Sequence, residues 1–367
     1  MYSLKRIKGL NQIRTIKPSS PLECLWHGQS QSNERSRADS GQYEKRRING
    51  DMMISQKQLP DPGHFVFIVN PYAGLRHSQK MVSQIELSMK KDPRITYEVI
   101  LTEKTGHAGL IAEAAGKRYQ ENAVIFACGG DGTANEVVNG LYGTKSVMGI
   151  LPIGTSNDFC KNALSTLNLD ELIERLPQPL IKPIDLVSFN DRICINILSL
   201  GLDSIVQEHA TKYYRKLRLP GSLLYLISIV SALFTQKVFK MRYELKIINK
   251  EGKEDTITSD SSFILAAICN GQYYGGGFNP APGAILDDGR LDVCIVDALP
   301  LLKMLNLIPK YKKGTHISSP AVKTFSAVSG RITASGKPLP GNADGELFRE
   351  KDVSFKILKQ ALPFAFY

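Results

Sequence analysis

The stretch FACGGDGTANEVVNGL, residues 126–141, holds the side chains of this chain best placed for chemistry. An apolar run, Val124 to Cys128, stops at Gly129, Gly130, Asp131, Gly132 and Thr133. A helical pattern follows, with Val137, Val138 and Leu141 on one face and Glu136 and Asn139 off it. A plain tight turn needs one glycine for its positive φ. Three glycines around a carboxylate and a hydroxyl, opening a helix, predict a backbone that an anion approaches closely. Asp131 at the tip would repel a bare phosphate, so a divalent cation between the two is expected. No GK[ST] follows, which excludes a Walker loop, and the spacing is not the dinucleotide GxGxxG. Backbone amides and Mg²⁺ would therefore stand where a P-loop uses lysine.

Five further carboxylates sit at or near turns. Asp158, in GTSNDF, opens a helix and reads equally well as an N-cap. Asp185 follows Pro183 and reads equally well as a turn residue. NADGELF places Asp344 and Glu346 around Gly345, which alone is a hairpin signal. AILDDGRL places Asp288 in a tight turn that exposes main-chain carbonyls, a setting that suits Mg²⁺ but also an ordinary hairpin.

These positions need elements to hold them. HFVFIVN (64–70) reads as a buried strand ending in the turn Pro71-Tyr72-Ala73-Gly74, followed by a helix over 78–90. ITYEVILT (95–102) alternates as a strand, GHAGLIAEAAGKRY as a helix, and AVIFAC as the next strand. Strands alternating with helices predict a parallel α/β sheet whose strand-to-helix loops share one edge, where ligands bind. The loops NPYAG, LTEKTGHA, GGDGT and LPIGTSNDF fall on that edge. After about Asp185 strand-like runs dominate, separated by Gly, Pro and Asp turns, with a helical insertion near 204–235. The expected fold class is thus an N-terminal parallel-sheet α/β nucleotide-binding domain followed by a β-sandwich-like domain.

The chain has 367 residues and a formal charge of +11. Ten Lys/Arg against four Asp/Glu in residues 1–50 supply about half of that charge. Residues 1–61 read as a disordered basic extension, equally a targeting peptide or an over-long gene start, since Met52 and Met53 precede the folded pattern. No recognition-helix or RNA-binding sheet motif accompanies the charge, so nucleic acid is not an expected partner. Six scattered cysteines lack metal-ligand spacing and point to a reducing, intracellular setting. The longest apolar run, Ser222 to Phe234, would reach only about 20 Å as a helix, short of a bilayer core of about 30 Å. The basic-aromatic run from Lys212 to Arg218 before it, and LLKMLNLIPKYKKG from Leu301, read either as solvated helix flanks or as elements that dock on an anionic bilayer.

GGDGTANEVVNGL followed by GILPIGTSNDFCKNA resembles the catalytic domain of the diacylglycerol kinase and sphingosine kinase family. GGDGT alone is shared with NAD kinases and phosphofructokinases; GTSNDF narrows the resemblance to lipid kinases. NPYAG, TEKTGHA, PIDL, NGQYYGGGFNPAPGAILDDGRLDV and NADGEL complete the order of the compact bacterial type, over about residues 63–360. The resemblance implies an ATP site at Asn70, Pro71, Tyr72, Ala73, Gly74, Thr102, Gly129, Gly130, Asp131, Gly132, Thr133, Ala134, Asn135, Glu136 and Thr155. It implies a metal-and-water network in which Asp158 and Asp185 join Asp131. It also implies a structural Mg²⁺ on Asp288 and the carbonyls of Ile285 and Arg290. Glu346 becomes the base that accepts the lipid hydroxyl proton, with Asp344 as the alternative base or its orienter. The family usually carries Ser or Thr where Ala73 stands, so one phosphate hydrogen bond of about 1 kcal/mol is missing.

The resemblance implies ATP and Mg²⁺ as cofactors and transfer of the γ-phosphate to a lipid hydroxyl, first diacylglycerol. Phosphatidylglycerol, a sphingoid base or a catalytically silent membrane-binding relative are the alternatives. The expected domains are 62–186 for ATP, completed by 347–367, and 187–346 for lipid. The expected setting is cytoplasmic, peripheral on the inner face of an anionic membrane, with a homodimer left open.

Overall fold

The computed structural model describes residues 63–74, 77–216, 221–234, 238–249 and 251–367. The extension read at 1–61 lies outside them.

Four strands, β1 (His64–Val69), β2 (Thr96–Leu101), β3 (Ala123–Gly129) and β4 (Val147–Pro152), pair in parallel in the order β4-β3-β1-β2. β3 is buried along its whole length, because helices cover both faces. The two-residue period divides the side chains between two cores. Val66, Ile68, Ile125 and Ala127 meet helices α2 (His107–Tyr119) and α3 (Asp131–Leu141) through Ala108, Ala112, Val137 and Val138. Phe65, Phe67 and Phe126 meet α1 (His77–Met89) through Met81 and Ile85. The short helix α4 (Cys160–Ala163) follows β4, and α5 (Leu169–Arg175) adds Leu172 and Ile173 to the second core. All four strands run the same way, so every loop that follows one opens on the same edge.

From β5 (Leu180–Phe189) the pairing turns antiparallel. β6 (Arg192–Cys194) and β7 (Ile197–Gly201) come next, then helices α6 (Leu202–Lys216) and α7 (Gly221–Phe234) as the expected insertion. β8 (Phe239–Ile248) and β9 (Glu254–Cys269) form a ten-residue ladder from Phe239↔Phe263 to Ile248↔Glu254. β10 (Leu291–Asp297), helix α8 (Leu301–Lys313), β11 (Val322–Ala334), the hairpin β12 (Leu339–Ala343) and β13 (Glu346–Glu350), and β14 (Asp352–Phe366) complete the chain. Leu198, Leu200, Met241, Tyr243, Phe263 and Ile268 are central to the enclosed core of this half.

β14 belongs to both halves. Its start pairs with β11 (Arg331↔Ser354), and its end reaches β4 (Phe364↔Met148). Leu362 and Phe364 enter one core of the first half, Ala365 and Tyr367 the other. One sheet path therefore runs from β13 through β14 to β2, which fixes the two halves relative to each other.

Candidate active site

The glycines of the opening loop have separate reasons. A Cβ at Gly129 would lie 2.2 Å from Thr133 Oγ1, inside the loop's own turn. A Cβ at Gly154 would lie 2.3 Å from Gly130 Cα, so the GGDGT and GTSNDF loops touch backbone to backbone. Ile153 N and Gly154 N both donate to Gly129 O at 3.1 Å. At Gly132 a Cβ would meet nothing within 4 Å, so the protein itself gives no steric reason for that glycine. It lies in the first turn of α3, where N–H groups have no internal acceptors.

The other loops on this edge are fastened to the first. Asn70 Nδ2 donates to Thr133 Oγ1 at 3.2 Å, and Asn70 Oδ1 accepts the amide of Tyr72 at 3.0 Å. Thr102 is buried, with its amide on Val69 O at 2.9 Å. Glu136 accepts Gly106 N at 2.8 Å and Ala108 N at 3.0 Å, holding the LTEKTGHA loop and the start of α2 against α3. Ala134 and Asn135 are buried beside it, with Asn135 Oδ1 taking Asn139 Nδ2 at 3.0 Å. Pro71, Ala73 and Gly74 are half-buried, Thr155 is exposed, and Tyr72 stands out at 81% exposure. Every residue expected at the nucleotide lies on these loops or in the first turns of α3, at one sheet edge.

The carboxylates divide into three groups. Asp131 accepts Phe159 N at 3.2 Å. Burial, then the charge of Asp158, pushes its carboxyl above the usual range. Asp158 is buried, with its oxygens on Lys161 Nζ at 2.5 Å and Gly276 N at 2.7 Å. This is a desolvated pair of like charges with one lysine beside it, an environment that a divalent cation relieves.

Asp185 has partners of its own. Its carboxylate takes Gly289 N at 2.6 Å and Gln360 N at 2.7 Å, and its own amide binds Leu286 O at 2.7 Å. It fastens the DDGRL turn to β14, and its charge is felt by Asp288. Asp288 takes Arg290 N at 3.0 Å on an exposed turn that also carries exposed Ile285. Desolvation, with the like charges of Asp292 and Asp185, pushes Asp288 up to about 6. Among the described residues no three His, Cys, Asp or Glu side chains converge on one point. A cation at this turn would thus draw on carbonyls and water.

The third group is the β12–β13 turn. Asp344 and Gly345 both have positive φ, 48° and 96°, the geometry of a two-residue hairpin. The Asp344 carboxylate accepts three successive amides: Ile195 at 2.7 Å, Asn196 at 3.2 Å and Ile197 at 3.0 Å. Burial pushes it up to about 6, and the charge of Asp131 adds to the shift, so the two sides of the site feel each other. Glu346, the first residue of β13, is exposed, and its side chain makes no hydrogen bond or ion pair with a described residue. Asn139 on α3 bonds Ile193 O at 3.0 Å and Ile193 N at 3.3 Å. The chain from 193 to 197 thus ties the helix that starts at Asp131 to the hairpin that carries Glu346.

Sequence reasoning assigned no role to Lys161, Gly276, Asn139 or the segment 195–197. Lys161 follows Asp158 by three residues, a spacing that pairs charges across one turn. The run Gly275-Gly276-Gly277, all at positive φ, marked a loop that only glycine can follow. It also missed an apolar cleft of about 90 Å³ lined by Leu202, Val206, Ile229, Met304, Leu307 and Ile308, among others, with Asp203 as its one carboxylate. Asp203 accepts the hydroxyl of Ser199, which also bonds Asn342 O at 3.3 Å, two residues before Asp344. Burial pushes Asp203 up to about 6. Tyr274 and Phe278 line the same cleft.

Two family models match the chain: the diacylglycerol kinase catalytic domain over residues 64–189, and the YegS C-terminal NAD kinase beta sandwich-like domain over residues 196–366. The Bacillus subtilis protein named "Putative lipid kinase YtlR" is 29% identical over 296 residues, covering 77% of this chain and 93% of the relative. A diacylglycerol kinase of Staphylococcus haemolyticus is 27% identical over 297 residues, covering 80% and 85%. A crystal structure of a diacylglycerol kinase from Bacillus anthracis superposes with a TM-score of 0.62 at 18% identity, over 84% of this chain and 98% of that one, a likeness of fold.

Proposed function

The chain belongs to the lipid kinase family built from a diacylglycerol kinase catalytic domain and a YegS C-terminal domain, and on that premise we propose that it transfers the γ-phosphate of ATP to the hydroxyl of diacylglycerol, with Mg²⁺. One observation carries the reading. The loop 273–278 places Gly276 N on the Asp158 carboxylate while its Tyr274 and Phe278 line the apolar cleft. A charged site suited to a nucleotide and an apolar site suited to acyl chains are thus served by a single loop.

The residues divide the work accordingly. The α3 amides and Thr133 receive phosphate oxygens, with Asn70 holding Thr133 in place. Asp131 and Asp158 are the side chains that would hold Mg²⁺, and bound there it neutralises charge on the transferred phosphoryl group. Glu346 accepts the proton of the attacking hydroxyl, because its carboxylate is exposed and unengaged. Asp344 orients it, because both of its oxygens are already occupied by amides. The test is incubation with γ-labelled ATP and Mg²⁺ against diacylglycerol, phosphatidylglycerol and a sphingoid base. Label in phosphatidic acid supports the proposal; label only in another lipid reassigns the acceptor; label in none rejects it.

A further inference from the structure

Helix α8 is amphipathic twice over. Its inner stripe, Met304, Leu307 and Tyr311, recurs at spacings of three and four and is buried. Leu302, Leu305 and Pro309 repeat the same spacing on the outward side, where a surface helix normally turns polar residues to water. Leu302 is 76% exposed. Lys303, Lys310 and Lys313 stand exposed around this stripe, while Lys312 lies over the Phe278 ring. The helix contains no acidic residue. The last turn of α7 adjoins it, since Leu233 and Met304 share one apolar cluster. That turn presents Val230 and Phe234, the latter 77% exposed. The same two helices supply Ile229, Met304, Leu307 and Ile308 to the wall of the cleft.

We infer that this face, with Val230, Phe234, Leu302 and Leu305 framed by Lys303, Lys310 and Lys313, is where the protein rests on an anionic bilayer. Its apolar side chains enter the acyl boundary, its ammonium groups meet the headgroups, and a membrane lipid passes into the cleft between the same helices. The charge argues for lipid over a second copy of this chain: a two-fold interface would bring the lysines of one copy against those of the other. Of the basic run 212–218, Lys212 is exposed on α6, and the side chains of Arg215, Lys216 and Arg218 lie outside those described. Among the described side chains, the exposed apolar stripe with lysines beside it is on α8 and the end of α7. The inference rests on the lipid-kinase reading for its purpose, but its test does not.

The full chain is sedimented with vesicles of phosphatidylcholine, with and without phosphatidylglycerol, at low and high salt. Wild type is expected to bind the anionic vesicles and to release at high salt. Each lysine near an anionic surface contributes about fivefold. The triple variant Lys303→Glu/Lys310→Glu/Lys313→Glu should therefore bind at least about 100-fold more weakly. Leu302→Ser/Leu305→Ser should bind more weakly by about 100-fold or more, since two buried side chains leave the acyl boundary. Both variants should melt like wild type and act normally on short-chain, water-dispersed diacylglycerol. Wild-type sedimentation by either variant overturns the inference. So does a wild-type dimer, by light scattering, that Leu302→Ser/Leu305→Ser splits while vesicle binding is unchanged. If no lipid is phosphorylated at all, sedimentation still decides the docking face, so the two readings fail separately.

Discussion

Replacing Asp344 by Ala separates a positioning carboxylate from a catalytic one. The change leaves three successive amides, those of Ile195, Asn196 and Ile197, without their acceptor. Orphaned donors cost about 1–3 kcal/mol each. The lower figure applies because the adjoining turn is open to water at Gly345, giving a total of about 3 kcal/mol. For a domain of a few hundred residues that lowers the melting temperature by roughly 6–12 °C. Residues 193–197 connect α3 to the hairpin, so kcat falls with it, by roughly tenfold or more, as Glu346 loses its alignment. Circular dichroism melting and steady-state phosphotransfer on dispersed diacylglycerol read both effects. An Asp344→Ala protein that melts like wild type would refute the fastening role. The same melt with kcat near zero would make Asp344 the base.

Asp131→Ala should bring phosphotransfer to background at every Mg²⁺ concentration, while the melting temperature holds or rises, because a desolvated like charge beside Asp158 is removed. Retained turnover would make the GGDGT loop a structural turn. Glu136→Ala frees Gly106 N and Ala108 N; KM for ATP should rise roughly 3–10-fold with kcat little changed, measured by initial rates. Asp203 and Asp344, pushed up to about 6 from an unfolded value near 3.9, bind protons more tightly when folded. Their contribution to stability is complete below about pH 4 and is lost as pH rises through about 6. Asp203→Asn should therefore show a shallower fall in melting temperature between pH 4 and 6 than wild type; an equal fall would contradict the burial argument.

The first half was legible because its strands are buried on both faces and read as unbroken apolar runs ending in glycine loops. That the loops NPYAG, LTEKTGHA, GGDGT and LPIGTSNDF meet at one edge follows from topology alone, since parallel strands open their loops on the same side. The run RICINILSL (192–200) carries an unbroken apolar strand pattern, but the structure breaks it at Ile195-Asn196, where Asp344 claims the amides. An apolar run carries no mark of a break whose partner lies about 150 residues away. The second half of β14 was also hidden. Pro363 argues against a strand, yet it sits opposite Pro183 of β5, and positive φ at Gln360 marks the irregularity between Leu358 and Leu362. Asp185 reads in sequence as a turn or metal residue. The structure makes it a strand residue whose carboxylate joins two distant amides, a role set by chain segments more than 100 residues downstream. The cleft could not be read at all, because its wall is assembled from α6, α7, β9, β10 and α8.

The most direct test is the transfer of γ-labelled phosphate from ATP to dispersed diacylglycerol by wild type and by Glu346→Gln in one assay. Wild type should label phosphatidic acid in a Mg²⁺-dependent way. Glu346→Gln should lose about 10²-fold or more in kcat with KM for ATP and the melting temperature unchanged, since the side chain is exposed and bonded to nothing described. Near-normal turnover by Glu346→Gln, or no labelled lipid from wild type, would contradict the account.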